Sequence, residues 1–179
     1  MRLHRRLILS LLVFAASIAV LSRADDKKVD ARDQLAGAWR LVSVETIRPG
    51  GEVIYPFYGK HPQGLIVYDR SGWMSVQIVS DPIPTVPKGD SRDEFRSAPP
   101  EERAAAADSY YAYFGTWTID PAASTVTHHL KHSLLPGERG SDFVRHFSVA
   151  ADRLTLVAKV REMGEDHERK LVWERAHPE

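Results

Sequence analysis

The chain has 179 residues, 24 of them basic and 24 acidic, and it contains no cysteine. The absence of cysteine excludes disulfides, thiolate catalysis and cysteine-ligated metal sites. The balanced charge provides no electrostatic basis for binding nucleic acid, so we expect no nucleic-acid partner.

Residues 1–24 are organised like a secretory signal peptide. Three arginines lie within the first six residues, residues 7–21 are largely apolar, and Ser22-Arg23-Ala24 supplies the small residues of a cleavage site before Asp25. The apolar run is shorter than the roughly 20 residues that a spanning helix needs, which favours cleavage over a permanent membrane anchor. We therefore expect export to a periplasm or to the medium, with no stable membrane insertion after cleavage.

The rest of the chain predicts one domain. Residues 25–34 are charged and predict a flexible lead-in, and residues 35–179 predict the folded domain. Residues 1–24 hold four of the basic residues and no acidic one, which leaves 20 basic and 24 acidic residues and a net charge of −4. A domain of this size can bury a sufficient core without disulfides.

Most of the domain has the period-two pattern and the turn residues of short antiparallel strands. Asp69-Arg70-Ser71-Gly72, for example, is typical of a hairpin turn. The predicted strands are residues 38–47, 53–58, 64–68, 73–79, 113–119, 125–133, 142–149, 153–160 and 170–175.

One segment interrupts the strand pattern. Residues 80–100 contain five prolines and predict a long loop, and the alanine-rich residues 101–111 predict one helix. We expect this segment to cover one mouth of a barrel as a lid. The chain as a whole predicts an all-β, antiparallel up-and-down barrel of about eight or nine strands with one inserted helix.

A series of short motifs follows the predicted strands along the chain: Gly37-Ala38-Trp39-Arg40-Leu41-Val42-Ser43, Tyr55-Pro56-Phe57, Gly64-Leu65-Ile66-Val67-Tyr68, Met74-Ser75-Val76-Gln77, Tyr113-Phe114-Gly115-Thr116-Trp117, Val126-Thr127-His128-His129, Arg145-His146-Phe147 and Asp152-Arg153-Leu154-Thr155-Leu156. In this order they resemble the bacterial lipocalin-like domain family, whose fold is a lipocalin or calycin type of β-barrel. The resemblance implies that Gly37 and Trp39 open the first strand and that Arg175 packs over Trp39 to close the barrel base. It implies no particular activity. Gly115-Thr116-Trp117 repeats the Gly-x-Trp spacing, either as an echo of two half-barrels or by chance.

Strand alternation predicts which side chains face the barrel interior. Because Lys131 should face water, His128 and His132 should face inward. In the next strand, the aromatic face carries Arg145 inward. The predicted ligand-binding residues are His128, His132, Arg145, Phe143, Phe147, Tyr68, Tyr113 and Trp73.

Two further expectations concern the partners of these residues. A simple hairpin that pairs Ser133 with Asp142 would place His128 opposite Phe147, and His129 opposite His146 on the outer face. Arg145 has two alternative roles: it binds an anionic group of a ligand, or it pairs with a buried acid such as Glu45.

The sequence indicates neither a metal nor a cofactor. His128 and His132 would lie about 13 Å apart along a strand, too far to share one ion at metal–nitrogen distances of about 2 Å. No Gly-x-Ser-x-Gly elbow and no glycine-rich phosphate loop occurs. His128 could still act as a general base, with Tyr68, Tyr113 or Glu45 as the acid.

Three functions are consistent with these residues. The first, which we favour, is a carrier of a small, mostly apolar molecule. If Arg145 binds the ligand, that molecule also has an anionic group. The second is an isomerase or cyclase acting on such a molecule, for which no catalytic residue is assigned. The third is a structural barrel filled by side chains. The sequence names neither the ligand nor the oligomeric state.

Overall fold

The fold is described from a computed structural model, which covers residues 30–85 and 91–177. The strands are β1 (Gly37–Ile47), β2 (Val53–Ile54), β3 (Gln63–Tyr68), β4 (Trp73–Val79), β5 (Tyr110–Asp120), β6 (Thr125–Ser133), β7 (Asp142–Ala150), β8 (Arg153–Glu162) and β9 (Glu165–Arg175). The helices are α1 (Ala31–Leu35), α2 (Arg92–Ser97) and α3 (Pro100–Asp108), with a 3-10 turn at Pro136–Glu138. The predicted signal peptide lies outside the described residues.

Eight of the strands form a closed antiparallel barrel. Their order around the barrel is β1, β3, β4, β5, β6, β7, β8 and β9, and β9 pairs again with β1. The extra strand β2 pairs with the last two residues of β1, beyond the part of β1 that pairs with β3. The predicted all-β antiparallel barrel is therefore confirmed, and closure leaves no long unpaired strand edge.

Alternate residues of the strands fill the barrel with apolar side chains. In β4, for example, Met74, Val76 and Ile78 are buried while the residues between them are partly exposed. Three tryptophans are the largest fully buried side chains: Trp39, Trp117 and Trp173. Because these side chains come from opposite walls, the core forms only when the barrel closes.

Helix α1 and the end of β9 close one end of the barrel around Trp39. The indole N–H of Trp39 donates to the Leu35 carbonyl oxygen at 2.8 Å. The Arg175 guanidinium lies 4.1 Å from the centre of the Trp39 ring and donates to the carbonyl oxygens of Gln34 and Ala36 at 2.9 and 3.1 Å. The packing of Arg175 over Trp39 that the resemblance implied is confirmed.

The second Gly-x-Trp sequence has a similar environment. Trp117 is buried, its indole N–H donates to the Asp69 carbonyl oxygen at 3.0 Å, and the Arg32 guanidinium lies 4.4 Å from the centre of its ring. Each motif thus combines a buried tryptophan, a backbone carbonyl acceptor and a covering arginine. This likeness favours an echo of two half-barrels over chance.

Several boundaries differ from the predictions. β5 begins at Tyr110, although a helix was predicted to residue 111 and the strand from residue 113, and β9 begins at Glu165 rather than at residue 170. Residues 31–34 of the predicted lead-in belong to α1, because Asp30 caps the helix and Leu35 at its end is fully buried. The predicted strand at residues 53–58 is only the two-residue β2. The described part of the inserted segment holds two helices, whereas one was predicted. The additional helix α2 begins with a capping box between Ser91 and Glu94, a Ser-x-x-Glu pattern that was available in the sequence.

A β-bulge distorts the pairing of β5 with β6. Phe114 pairs with His132, whereas the next residue, Gly115, pairs with Leu130, so Lys131 is an extra residue in β6. A Cβ atom on Gly115 would overlap the His129 carbonyl oxygen and lie 2.9 Å from the carbonyl carbon. The bulge therefore requires glycine at position 115.

We expect Gly115→Ala to lower the free energy of unfolding by at least about 1–3 kcal/mol, because the obstacle is backbone that cannot rotate away. Gly137→Ala is the matched control, since a Cβ at Gly137 meets no atom within 4 Å. Urea denaturation of both variants measures the difference. Equal stability of the two variants would contradict the close approach at Gly115.

Candidate functional site

A cavity of about 690 Å³, partly open to solvent, occupies the barrel on the side away from α1. Its volume lies within the range of about 300–1,000 Å³ that small-molecule sites occupy. Residues of six strands supply much of its apolar wall, including Ile66, Val76, Tyr113, Phe143, Leu156 and Trp173. The closed end around Trp39 and Trp117 does not contribute to this wall.

A buried histidine lies between two buried tyrosines beside this cavity. The Tyr68 hydroxyl is 2.7 Å from Nε2 of His128, and the Tyr113 hydroxyl is 2.8 Å from Nδ1. His128 and Tyr68 are fully buried and Tyr113 is nearly so. Both ring nitrogens of His128 are therefore occupied, and only Tyr113 of the three forms part of the cavity wall.

Burial controls the protonation of all three groups. It lowers the pKa of His128 well below the usual 6.5, and the charge of Arg145 lowers it further. Burial also raises the pKa of Tyr68 well above 10 and raises that of Tyr113, while Arg145 lowers both. The imidazole and both phenols are consequently neutral at neutral pH.

Arg145 brings a positive charge into the cavity wall. The inward face of β7 positions its partly buried side chain, and the guanidinium lies 5.2 Å from the centre of the Phe143 ring. Among the described residues it has no hydrogen-bonding or ion-pair partner. Glu45, the acid that the sequence offered as a structural partner, instead contacts Lys170 at 3.3 Å.

Two further charged residues of the cavity wall are paired with each other. Arg169 forms an ion pair with Glu162 and lies 5.3 Å from the centre of the Phe57 ring. Burial raises the pKa of the neighbouring Tyr58 to about 12, although the Arg169 charge lowers it. These residues line the cavity, and Arg169 and Glu162 compensate each other's charge.

Glu138 is a cavity residue that sequence reasoning missed. Its Oε2 atom accepts hydrogen bonds from the Tyr111 hydroxyl at 2.8 Å and from the Ser133 hydroxyl at 2.6 Å. Burial raises the pKa of Tyr111, and the hydrogen bond to Glu138 raises it further. Glu138 lies in the 3-10 turn between β6 and β7, and no local pattern in the sequence indicated that this turn folds back over the cavity.

The structure brings together six of the eight residues predicted to bind the ligand. His128 and Tyr68 are fully buried beside the cavity, Tyr113, Phe143 and Arg145 line it, and Phe147 packs against the core. Their role in ligand binding stays a prediction.

Two of the predicted inward positions are wrong. His132 is exposed and its ring lies 5.6 Å from that of Phe114, because the extra residue Lys131 reverses the alternation of β6. Trp73 is 51% exposed. It shares the outer face of β4 with Ser75, so alternation alone would have placed it outside.

The predicted pairing of β6 with β7 is also wrong, although the faces are preserved. His128 pairs with Phe143 rather than with Phe147, and His129 pairs with Asp142, whose Oδ1 lies 2.7 Å from its Nδ1 atom. The last paired residues are His129 and Asp142, so the connection comprises residues 130–141 instead of the predicted 134–141. The register therefore shifts by four residues, an even number, and the faces stay the same. His146 pairs with Thr125, so His129 and His146 are not opposite each other.

The remaining expectations concern metals, the lid and membranes. Within residues 30–85 and 91–177, no group of three or more histidine and acidic side chains is arranged to hold a metal ion. Of the described residues from 80 to 111, Tyr111 alone lines the cavity, and it belongs to β5. The loop and helices of the proposed lid therefore do not contribute to the cavity wall in the part that the structure describes. No helix in the described ranges has the length and apolar character needed to cross a membrane.

The closed eight-stranded barrel, the tryptophan–arginine pair at its base and the cavity at its other end define the lipocalin type of β-barrel. The family model of the lipocalin-like domain matches residues 36–176, and the chain belongs to that family. No curated protein matches the sequence.

The neutral state of His128 predicts how stability depends on pH. Below pH 6.5 the unfolded chain binds a proton at this histidine that the folded chain does not bind until the pH is much lower. The free energy of unfolding should therefore fall as the pH is lowered from 7 to 5, by up to about 1.4 kcal/mol per pH unit from this residue alone.

Two histidine variants separate the contribution of His128 to this pH dependence from that of the other titratable groups. His128→Phe should be less stable at every pH, since it leaves two buried hydroxyls without their partner, but its stability should depend less steeply on pH. The exposed His132→Gln serves as control and should keep the wild-type slope. Denaturant unfolding at several pH values measures the slopes, and identical slopes for His128→Phe and wild type would show that His128 titrates normally.

Proposed function

We propose that this protein is an exported carrier that binds a small, mostly apolar molecule with an anionic group in the barrel cavity. The observation that carries the proposal is the placement of an unpartnered arginine in an otherwise largely apolar wall. A partly buried cation loses hydration, and it needs a compensating anion. Because the described residues do not supply one to Arg145, a ligand anion is the natural partner.

The cavity volume supports a carrier over a filled structural barrel. Side chains alone can fill a small barrel, but about 690 Å³ remains open here. An apolar wall with few polar groups is the usual composition of a small-molecule site. The ring of Phe143 beside the Arg145 guanidinium offers an apolar surface next to the charge.

The environment of His128 supports a carrier over an enzyme that uses this histidine as a general base. A general base must reach the proton it removes, yet both nitrogens of His128 contact tyrosine hydroxyls. Burial also makes the imidazole a weaker base, because it disfavours the protonated form. Glu45 contacts Lys170 and is not available as the acid partner.

We expect Arg145→Leu to weaken the binding of anilinonaphthalene sulfonate, a fluorescent apolar anion, by about tenfold or more, since a hydrogen bond to a charged group contributes about 1.5–3 kcal/mol. Arg96→Leu removes the same charge from the exposed surface of α2 and should leave the affinity unchanged. Fluorescence titration measures both. Unaltered binding by a folded Arg145→Leu protein would remove the anionic group from the proposal.

If the protein is exported, the mature protein should have a specific N-terminus. Expression of residues 1–179 in a Gram-negative host should yield a periplasmic or secreted product that begins at Asp25, because the signal peptide ends at Ala24. Mass spectrometry of the fractionated protein measures its N-terminus. A full-length product retained in the membrane would instead indicate an uncleaved anchor.

Native mass spectrometry of the same undisturbed preparation identifies the ligand. An added mass that disappears on denaturation is expected if the cavity retains its ligand during purification. Release of that compound unchanged supports a carrier, whereas its conversion supports the isomerase or cyclase alternative.

A further inference from the structure

The chain of hydrogen bonds from Tyr68 through His128 to Tyr113 allows only two proton arrangements. A neutral imidazole has one N–H donor and one acceptor nitrogen. One tyrosine must therefore donate to His128, and the other must accept from it. The tyrosine that accepts keeps a hydroxyl proton that needs a different acceptor.

The positions of the two tyrosines decide between these arrangements. Tyr68 is fully buried, lies outside the cavity wall, and has no hydroxyl partner other than His128 among the described residues. If Tyr68 accepted from His128, its own proton would be buried without an acceptor, which is unfavourable. Tyr113 lines the cavity, where its proton can reach water or a ligand. Tyr68 therefore donates to Nε2, and Nδ1–H donates to Tyr113.

In this arrangement the Tyr113 hydroxyl becomes a hydrogen-bond donor that faces the cavity, in addition to donors from other residues of the wall. Arg145 in the cavity wall has only donors, and the Nε1 atom of Trp173, another wall residue, is buried without a partner in the described part of the chain. Two carboxylates also line the cavity, and both contact other groups: Glu138 Oε2 accepts from Tyr111 and Ser133, and Asp142 Oδ1 lies 2.7 Å from Nδ1 of His129. Tyr113, Arg145 and Trp173 thus offer donors to a ligand, and these three have no carboxylate partner among the described residues.

The charges in the wall limit the ligand further. Among the described charged residues that line the cavity, Arg169 pairs with Glu162, and Arg161 pairs with Asp166 at 2.8 Å. Arg145 is the cation beside Tyr113 without such a partner, and its charge acts on Tyr113, Tyr68 and His128. Lys159 also lines the cavity without an ion pair among the described residues, but its side chain is exposed to water. Arg145 is therefore the partly buried uncompensated charge of the described wall, and a single such charge matches a monoanion better than a dianion.

We propose that the cavity recognises a monocarboxylate, with the Arg145 guanidinium on one carboxylate oxygen and the Tyr113 hydroxyl, oriented by His128, donating to the other. Tyr113 is then a ligand-binding residue, and His128 and Tyr68 are positioning residues that hold its proton toward the cavity. This inference rests on the proposed function and names its ligand class.

The tautomer of His128 is a test that needs no ligand. Two-bond nitrogen–proton correlation spectra of the wild-type protein at neutral pH distinguish Nδ1–H from Nε2–H. We expect the Nδ1–H form, because only that form leaves the hydroxyl proton of Tyr113 free to point into the cavity. Observation of the Nε2–H form, or of a charged imidazolium, would overturn the inference.

A matched pair of probes tests the ligand class. Naphthoate carries a carboxylate on an apolar ring system, and methylnaphthalene replaces that carboxylate by a methyl group. In calorimetric titrations, Tyr113→Phe should weaken naphthoate binding by about tenfold or more and leave methylnaphthalene binding within about twofold of wild type. Tyr110→Phe removes the same hydroxyl from an exposed position at the start of β5 and should change neither affinity.

The outcomes separate this inference from the proposed function. Naphthoate binding that is unaffected by Tyr113→Phe overturns the role of Tyr113 and leaves the carrier proposal standing. If the wild-type protein binds neither probe, the proposed function fails and the inference fails with it. Equal weakening of both probes by Tyr113→Phe would indicate lost packing rather than a lost hydrogen bond, and it would also overturn the inference.

Discussion

The pairing of β1 with β9 is the constraint on which the rest of the structure depends. It places Trp39 opposite Arg175, and the arginine then covers the indole ring while its donors bind the carbonyl oxygens of Gln34 and Ala36 next to α1. The same contacts complete the ring of strands, fill one end of the barrel and satisfy backbone acceptors near the end of a short helix. Because this end is sealed by large side chains, the opposite end is free to hold a cavity.

Polar groups inside an apolar barrel are costly unless each has a partner. His128 meets this requirement with two tyrosine hydroxyls, one for each nitrogen, and Glu138 meets it with two hydroxyl donors. Arg145 does not meet it from the described residues. The contrast between satisfied and unsatisfied groups in one cavity, more than the shape of the barrel, is what connects this structure to a ligand.

Much of the candidate site followed from alternation along single strands. Phe143, Arg145 and Phe147 share the inner face of β7, as their spacing predicted. The same argument failed for His132, because alternation holds only while both strands advance by one residue per pair, and Lys131 breaks that correspondence. A bulge depends on how close the partner backbone comes to Gly115, which is a contact between strands and not a property of either strand.

The sequence by itself determined the eight barrel strands and most of the turns, since these depend on the side-chain period and on local turn chemistry. The packing of Arg175 over Trp39 was implied by the family resemblance rather than by the strand pattern. The tertiary structure alone decided the pairing of β6 with β7, the open volume and the contacts of His128. That histidine meets Tyr68 and Tyr113, which are 60 and 15 positions away in the chain. Such contacts depend on the register of several strands at once, and a shift of two residues in any pair would preserve the inward faces while changing every partner.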